Sequence, residues 1–208
     1  MADAVMSGRL ILASASPRRI ELLNLMGLQF DVMPGDVDES FTNGETPREH
    51  VLRLSGEKAG KISDQYPDAW VMGADTIVII NGEVLGKPRT ADEAREMLGK
   101  LSGRTHTVFT GFTVMKKSAG IAIREAVDSS VRFRDIREDE MLWYIESEEP
   151  YDKAGGYAVQ GMGAFFIREI CGSYTNVMGL PLCEVVDVLK RLGVLTFAGD
   201  DHAVDRGA

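Results

Sequence analysis

The stretch that decides the fold is WVMGADTIVII, residues Trp70–Ile80. Its nearly continuous run of apolar and β-branched side chains predicts a β-strand more clearly than any other part of the chain. Asn81-Gly82 follows directly, a dipeptide typical of two-residue hairpin turns, and Glu83–Leu85 then returns as the partner strand. The sequence therefore predicts a hairpin whose first strand carries one carboxylate, Asp75, among apolar residues.

Helices and strands flank this hairpin on both sides. Residues 9–14 predict a short strand that runs into a helix with Ser16 as its N-cap and Pro17 at its first position. Capping boxes at Thr46 and Thr90 predict two more helices. The other predicted elements are an antiparallel strand pair over 105–116 and 121–134, a helix that Asp135 caps and that runs to about Glu146, a strand over 164–170, and a last helix that begins near Leu180 and ends before Gly193. Hairpins mixed with strand-to-helix crossovers predict an α/β protein with a mixed sheet.

The domain organisation predicted from the sequence is simple. A length of 208 residues allows one sizeable core or two small ones, and no segment resembles a linker between domains. We therefore expect a single domain over residues 9–195. Residues 1–8 and the small, polar residues 196–208 are expected to be flexible ends.

Composition and charge exclude several classes of function. The net charge of −9 argues against a nucleic acid polymer as partner, because such binding needs broad basic surfaces. No apolar run approaches the roughly 20 residues that cross a bilayer, and the N-terminus does not resemble a signal peptide. The two cysteines, Cys171 and Cys183, are too few for a disulfide framework. We expect a cytoplasmic protein with no membrane partner.

The first candidate site is the corner between the first strand and the first helix, residues 14–19 (SASPRR). The amides and the positive dipole end of a helix N-terminus bind anions. Arg18 and Arg19 in the first turn are unfavourable for the isolated helix, and an anionic ligand would reverse that penalty. The corner predicts a phosphate site, and the alternative is that both arginines face water or pair with Glu21.

Asp75 is the second candidate, because a carboxylate in so apolar a strand is costly unless it is paired, protonated or bound to metal. Counting back from the hairpin turn sets Val78 opposite Leu85 and, further on, Thr76 opposite Lys87. Lys87 then shares the face of Thr76, so a direct pair with Asp75 requires a β-bulge. Either a structural ion pair or a catalytic carboxylate with Lys87 on a phosphate fits this pattern.

Three weaker candidates lie elsewhere in the chain. Lys58 falls on the apolar stripe of the second helix, where it either snorkels to water or binds phosphate. Glu39 ends an acidic run that is either a solvated loop or, with Asp75, enough to hold Mg²⁺. Gln160 follows a glycine-rich stretch and could read the edge of a nucleobase, unless that stretch is a plain loop.

Six segments in order resemble the motifs of Maf-like proteins, over nearly the whole chain. They are 14–19 (SASPRR), 73–78 (GADTIV), 85–88 (LGKP), 102–106 (SGRTH), 151–161 (YDKAGGYAVQG) and 172–182 (GSYTNVMGLPL). The resemblance implies an α/β fold related to the ITPase/Ham1 proteins, with an elongated mixed sheet flanked by helices and two lobes around a cleft. It also implies hydrolysis of dTTP and UTP between the α- and β-phosphates, dependent on Mg²⁺ or Mn²⁺.

The same resemblance assigns roles to residues. Asp75, Lys87 and Glu39 are expected to be catalytic, with Asp75 and Glu39 also holding the metal. The residues expected to bind substrate are Ser14, Ser16, Arg18, Arg19, Lys58, Thr76, Lys153 and Gln160. Of these, Arg19, Thr76 and Gln160 match the positions that mark the subfamily acting on dTTP and UTP.

Two alternatives to this function remain at this point. One is a pyrophosphatase that prefers another base. The other is a nucleotide-binding regulator of cell division or septum formation without essential catalysis. The expected partner is the nucleoside triphosphate, with a homodimer left open.

Overall fold

The computed structural model describes residues 4–197 of the chain. Its strands are β1 (Ala4–Met6), β2 (Leu10–Leu12), β3 (Asp31–Val32), β4 (Trp70–Ile80), β5 (Glu83–Leu85), β6 (Thr105–Lys116), β7 (Ile121–Phe133), β8 (Ile167–Cys171) and β9 (Leu195–Phe197). Its α-helices are α1 (Pro17–Leu25), α2 (Pro47–Ser63), α3 (Ala91–Leu101), α4 (Glu138–Ile145), α5 (Tyr174–Val177) and α6 (Leu182–Arg191). Within residues 4–197, no helix is both long and apolar enough to cross a membrane.

Seven of the strands form one mixed sheet, which confirms the predicted fold class. The order is β3-β2-β4-β6-β7-β8, and β5 pairs with the end of β4. β2 is parallel to β3 and to β4, whereas β4, β6, β7 and β8 are antiparallel to their neighbours. The parallel pairs need crossovers, which α1 and α2 supply, and the antiparallel pairs need only turns.

The strand β4 has different partners on its two edges. On one edge β6 pairs with it continuously from Val71 to Ile79. On the other edge β2 covers residues 70–72 and β5 covers residues 78–80. Within the described part of the chain no strand covers residues 73–77 on that edge, so Asp75 and Thr76 border an opening in the sheet.

Helix α2 lies directly on the centre of the sheet because two glycines make room for it. A Cβ atom added to Gly73 would lie 2.2 Å from the Ser55 carbonyl oxygen, and one added to Gly111 would lie 2.4 Å from that of Val51. Any larger residue at either position would push the helix away. This close approach sets Lys58 of α2 beside Asp75 of β4.

Two apolar cores lie at the two ends of the sheet. One contains Leu12, Leu23 and Val188, where β2, α1 and α6 pack on β4 and β6. The other contains Leu98, Phe133 and Phe166, where α3 and α4 pack on the opposite end. The long strands β4, β6 and β7 run through both, so the two lobes share one sheet.

The ends of the domain differ from the sequence prediction. Residues 4–6, within the stretch 1–8 expected to be flexible, form β1 and pair with β9, which extends to Phe197. The ordering comes from this non-local pairing, which no local pattern in the sequence indicates. The rest of the two expected flexible ends, residues 1–3 and 198–208, lies outside the described residues.

Two elements begin later than predicted. The helix predicted from Asp135 begins at Glu138, and the Ile136 amide donates to Ser102 Oγ instead of entering the helix. The strand predicted over 164–170 is Ile167–Cys171. A 3-10 turn over Met162–Phe166 precedes it, because the Glu149 carboxylate accepts from the amides of Met162 and Gly163 and bends the chain there.

Candidate active site

The corner at residues 14–19 lines a cavity of about 430 Å³ that lies in the opening of the sheet. Pro17 begins α1 with Ser16 at the N-cap position, as predicted, but no side chain caps the helix. Instead the Ser16 amide donates to Ser14 Oγ at 3.3 Å. The first turn of α1 therefore presents its amides at the cavity without a capping side chain, as an anion site requires.

Arg19 is buried and forms a clamp between three parts of the chain. Its Nε donates to the Gly179 carbonyl at 2.8 Å, and its Nη1 donates to the Ala74 carbonyl at 2.9 Å and to Ser14 Oγ at 3.0 Å. Its Nη2 donates to Thr76 Oγ1 at 3.0 Å. Burial lowers the pKa of Arg19 from its ordinary value, while the charge of Asp75 opposes that shift.

These contacts qualify the expectation that Arg19 binds substrate. A guanidinium has five N–H donors, and four of them are used by protein acceptors in the described residues. One Nη2 hydrogen is left for a ligand. Arg19 therefore holds α1 against the unpaired edge of β4 first, and Thr76 is its partner there.

Asp75 has a cation as its partner, but the cation is Lys58 rather than Lys87. Lys58 Nζ donates to Asp75 Oδ1 at 2.7 Å and to Glu39 Oε1 at 2.6 Å. The Asp75 side chain is 8% exposed and that of Glu39 is 54% exposed. One ammonium group thus joins a buried and a half-exposed carboxylate, and Lys58, one of the weaker candidates from the sequence, lies at the centre of the site.

The predicted hairpin register is confirmed where the strands pair, with Val78 opposite Leu85 and Ile80 opposite Glu83. β5 ends at Leu85, and the Gly86 carbonyl accepts from the Gly155 amide at 2.9 Å. The pairing of Thr76 with Lys87 is therefore not formed. Lys87 lines the cavity with Asp75 and Glu39 instead.

Burial and the neighbouring cations shift the pKa of Glu39 in opposite directions. Its partial burial by itself would raise the pKa of this carboxyl group. The hydrogen bond and charge of Lys58, together with the charges of Lys87 and Arg19, outweigh burial and hold the pKa below its ordinary value. Glu39 is therefore an anion at neutral pH in a setting dominated by cations.

A second group of charges closes the cavity from the other lobe. Arg18 Nη1 lies 3.3 Å from Asp152 Oδ2. Lys153 Nζ donates to the Glu149 carbonyl at 2.7 Å and also bonds to the Asp152 carboxylate. Sequence reasoning missed Asp152, although its position beside Lys153 in the 151–161 motif was a signal. Its carboxylate bonds to Arg18 and Lys153, two cationic side chains that were expected to bind the substrate.

Gln160 does not line the cavity. Its Nε2 donates to Glu21 Oε2 at 2.8 Å on the surface of α1. The alternative in which Glu21 pairs with the arginines is therefore not observed, since Glu21 binds Gln160. The structure brings together Ser14, Ser16, Arg18, Arg19, Glu39, Lys58, Asp75, Thr76, Lys87 and Lys153, and leaves Gln160 outside.

The donor set near Asp75 is compatible with one divalent metal ion. No group of three or more histidine, cysteine, aspartate or glutamate residues with metal-site geometry occurs within residues 4–197. Asp75 and Glu39 nevertheless converge on one cation, the Lys58 ammonium group. Two carboxylates suit Mg²⁺, which keeps water and substrate phosphate oxygens as its other ligands.

Known proteins resemble this chain along nearly its full length. The family model "Maf-like protein" matches residues 9–192. A protein of Syntrophus aciditrophicus (strain SB) named dTTP/UTP pyrophosphatase is 61% identical, with 98% of each chain covered. Another of the same name from Geotalea uraniireducens (strain Rf4) is 50% identical over 89% of this chain and 96% of its own.

Among solved structures, the HAM1 protein from Coxiella burnetii has a similar fold, with a TM-score of 0.50 and 17% identity. The match covers 89% of this chain and 100% of that one. The similarity confirms the expected relation to the Ham1 fold. With the family model spanning both lobes and relatives of 50–61% identity, this chain belongs to the Maf-like protein family.

Proposed function

We propose that this chain hydrolyses dTTP and UTP between the α- and β-phosphates, releasing the nucleoside monophosphate and pyrophosphate. The observation that carries this proposal is the 61% identity, over 98% of the chain, to a protein named dTTP/UTP pyrophosphatase. The shared name of the relatives favours an enzyme over a nucleotide-binding regulator of cell division.

The charges of the cavity support phosphate chemistry. Arg18 and Lys153 from opposite lobes and the amides at the start of α1 offer donors for the phosphate chain. Asp152 already bonds to both cations, so substrate phosphates would take over those contacts from its carboxylate. Lys87 approaches the same cavity from the end of the hairpin.

We assign the proton transfer to Asp75. Its Oδ1 accepts from Lys58, so Oδ2 is the oxygen that would take the proton of the attacking water. Asp75 and Glu39 would hold a divalent cation, Mg²⁺ or Mn²⁺, which when bound neutralises charge on the phosphates. Lys58 fixes the direction of both carboxylates and offers its remaining hydrogen to a phosphate oxygen.

Base selectivity is proposed to rest on Arg19, Thr76 and Gln160. Arg19 and Thr76 already bond to each other at the cavity wall. Gln160 would have to leave Glu21 to reach a base. We also propose a cytoplasmic protein without nucleic acid polymer or membrane partners.

The test is turnover of a panel of nucleoside triphosphates by the purified chain with Mg²⁺, with pyrophosphate and orthophosphate measured separately. We expect pyrophosphate from dTTP and UTP, no turnover in excess chelator, and a loss of at least 100-fold in kcat for Asp75→Asn. Asp64→Asn is the matched control, because Asp64 pairs with Lys117 at the surface. Orthophosphate as product, or a preference for purines, would contradict the proposal.

A further inference from the structure

A second cavity adjoins the first at the candidate catalytic residues. It has a volume of about 650 Å³, and it shares Glu39, Asp75, Thr76, Lys87 and Ala154 with the first cavity. It extends along β5 and away from the Ser14–Arg19 corner. A substrate that fills the first cavity would therefore have further space on the other side of Asp75.

The second cavity differs from the first in chemistry. The residues that line only this cavity are mainly apolar or aromatic, among them Phe41, Leu54, Val84, Leu85 and Tyr151, and Arg89 is the cationic side chain of that set. The first cavity contains five cationic side chains, from Arg18, Arg19, Lys58, Lys87 and Lys153. Pyrophosphate needs cations rather than an apolar chamber, so the second cavity suits a different group.

One wall of the second cavity is a fixed aromatic platform. The Phe41 ring is stacked on the His50 ring, with 3.5 Å between ring centroids and 5° between planes. His50 is 2% exposed, and its Nδ1 bonds to Glu45 Oε2 at 3.0 Å. Arg53 binds Glu45 and the Ser40 carbonyl, and so secures the loop. Phe41 remains 41% exposed and can accept a flat ring.

The position of this platform places its occupant on the pyrophosphate side of the α–β bond that is cleaved. Arg19, which forms the proposed base-selective pair with Thr76, lines only the first cavity, and Thr76 lies where the two cavities meet. Three polar side chains line only the second cavity, those of His50, Tyr151 and Arg89. His50 Nδ1 bonds to Glu45, and the Tyr151 hydroxyl donates to the Ile145 carbonyl, so two of the three are engaged by the protein rather than directed at the edge of a base. Its occupant is then a flat apolar group attached beyond the α–β bond, on the leaving pyrophosphate.

We infer that this chain also cleaves nucleoside triphosphates whose terminal phosphate carries a flat aromatic substituent, and that this substituent binds in the second cavity on Phe41. This inference rests on the proposed function. The water oxygen bonds to the α-phosphorus and the bond from that phosphorus to the bridging oxygen breaks. The pair of electrons leaves with the substituted pyrophosphate, and the water proton passes to Asp75 and then to solvent.

The test compares two esters of UTP, phenyl and methyl, each on the terminal phosphate. The two carry the same charge and differ only in the ring. We expect the wild-type KM for the phenyl ester to be about fivefold below that for the methyl ester, the size of one aromatic stacking contact. Products are uridine monophosphate and the corresponding ester of pyrophosphate.

Val84→Trp fills the second cavity from a residue outside the first cavity. It should abolish the phenyl advantage and change kcat/KM for UTP by less than twofold. Val32→Trp on β3 is the matched control, because Val32 is exposed and lines neither cavity. Phe41→Ala is a second variant, should Val84→Trp fail to fold, and it should also remove the phenyl advantage.

Equal KM values for the two esters in the wild type would overturn the inference, as would a Val84→Trp variant that weakens both esters alike. These results would leave the proposed function intact if UTP is still cleaved. Absence of turnover with UTP and dTTP would refute the proposed function and this inference together.

Discussion

Replacing Lys58 by methionine tests the centre of the proposed site. One ammonium group serves two carboxylates at 2.6 and 2.7 Å, with the Lys58 side chain 11% and that of Asp75 8% exposed. Methionine keeps the apolar stem and removes the charge, so Asp75 is left buried without a partner. Breaking a buried pair in this way costs about 3–5 kcal/mol. Glu39 is half exposed and admits water, so we expect about 3 kcal/mol.

A divalent cation should reverse part of this loss. In the variant the two carboxylates converge with no cation between them, whereas in the wild type the Lys58 ammonium group already neutralises part of their charge. A ligand at 100 times its Kd adds about 2.7 kcal/mol of stability to a protein that binds it only when folded. Mg²⁺ should therefore stabilise Lys58→Met by more than it stabilises the wild type.

The assay is urea unfolding followed by tryptophan fluorescence, with chelator and with Mg²⁺. Lys61→Met is the matched control, since Lys61 lies on the same helix and its Nζ bonds to the Asp36 carbonyl at the surface. If Lys58→Met loses no more stability than Lys61→Met, Lys58 is not the partner that stabilises the buried Asp75 carboxylate. Equal stabilisation of variant and wild type by Mg²⁺ would mean that Asp75 and Glu39 are not the metal ligands.

Two further predictions concern buried cationic and neutral groups. Arg19→Lys should lower the free energy of unfolding by about 3 kcal/mol, because lysine cannot satisfy all the acceptors that the guanidinium serves. Arg18→Lys is the control and should lower it by less than about 1 kcal/mol. Equal losses of the two variants in urea unfolding would contradict this prediction. Burial lowers the pKa of His106 from 6.5 to about 4. As the pH falls, the unfolded chain therefore takes up the His106 proton before the folded chain does. The contribution of neutral His106 to the free energy of unfolding is complete above pH 6.5 and falls by about 3 kcal/mol on acidification to pH 4. The same titration on His106→Phe should show a shallower slope, and an identical slope would exclude His106 as the cause.

The parts of the fold that the sequence predicted are those with local causes. The turn at Asn81-Gly82 sets the register of β4 and β5, and the Thr46 capping box forms as expected at the start of α2. Both depend on residues within a few positions of each other. By contrast, the 3-10 turn at 162–166 depends on the distant Glu149 carboxylate, and β1 depends on β9. Such contacts leave no periodic pattern in the sequence.

The site shows the same limit more sharply. Asp75 can be recognised from the sequence alone, because a carboxylate in an apolar strand is costly unless it has a partner. Which cation is that partner depends on how closely α2 approaches β4, and that distance is set by Gly73 and Gly111. The hairpin register suggested Lys87 as the partner of Asp75, because the pairing of two strands across a short turn can be predicted from the sequence. The packing of a helix on a sheet cannot be predicted in the same way. The sequence placed Lys58 among the candidate residues, but its pairing with Asp75 could have been predicted only by recognising that these two glycines allow the helix to pack closely on the strand.

Arg19 and Thr76 connect base selectivity with the integrity of the sheet opening. Thr76 Oγ1 accepts from Arg19 Nη2 and also lies 2.9 Å from Thr110 Oγ1 and 3.3 Å from the Gly179 carbonyl. A residue without the hydroxyl at 76 would leave an Arg19 hydrogen unpaired in a buried place, which is costly unless position 19 changes too. If base preference is carried by this pair, it can change only through coupled substitutions. A double-mutant cycle of Thr76→Val and Arg19→Lys should then show non-additive losses of stability as well as of selectivity.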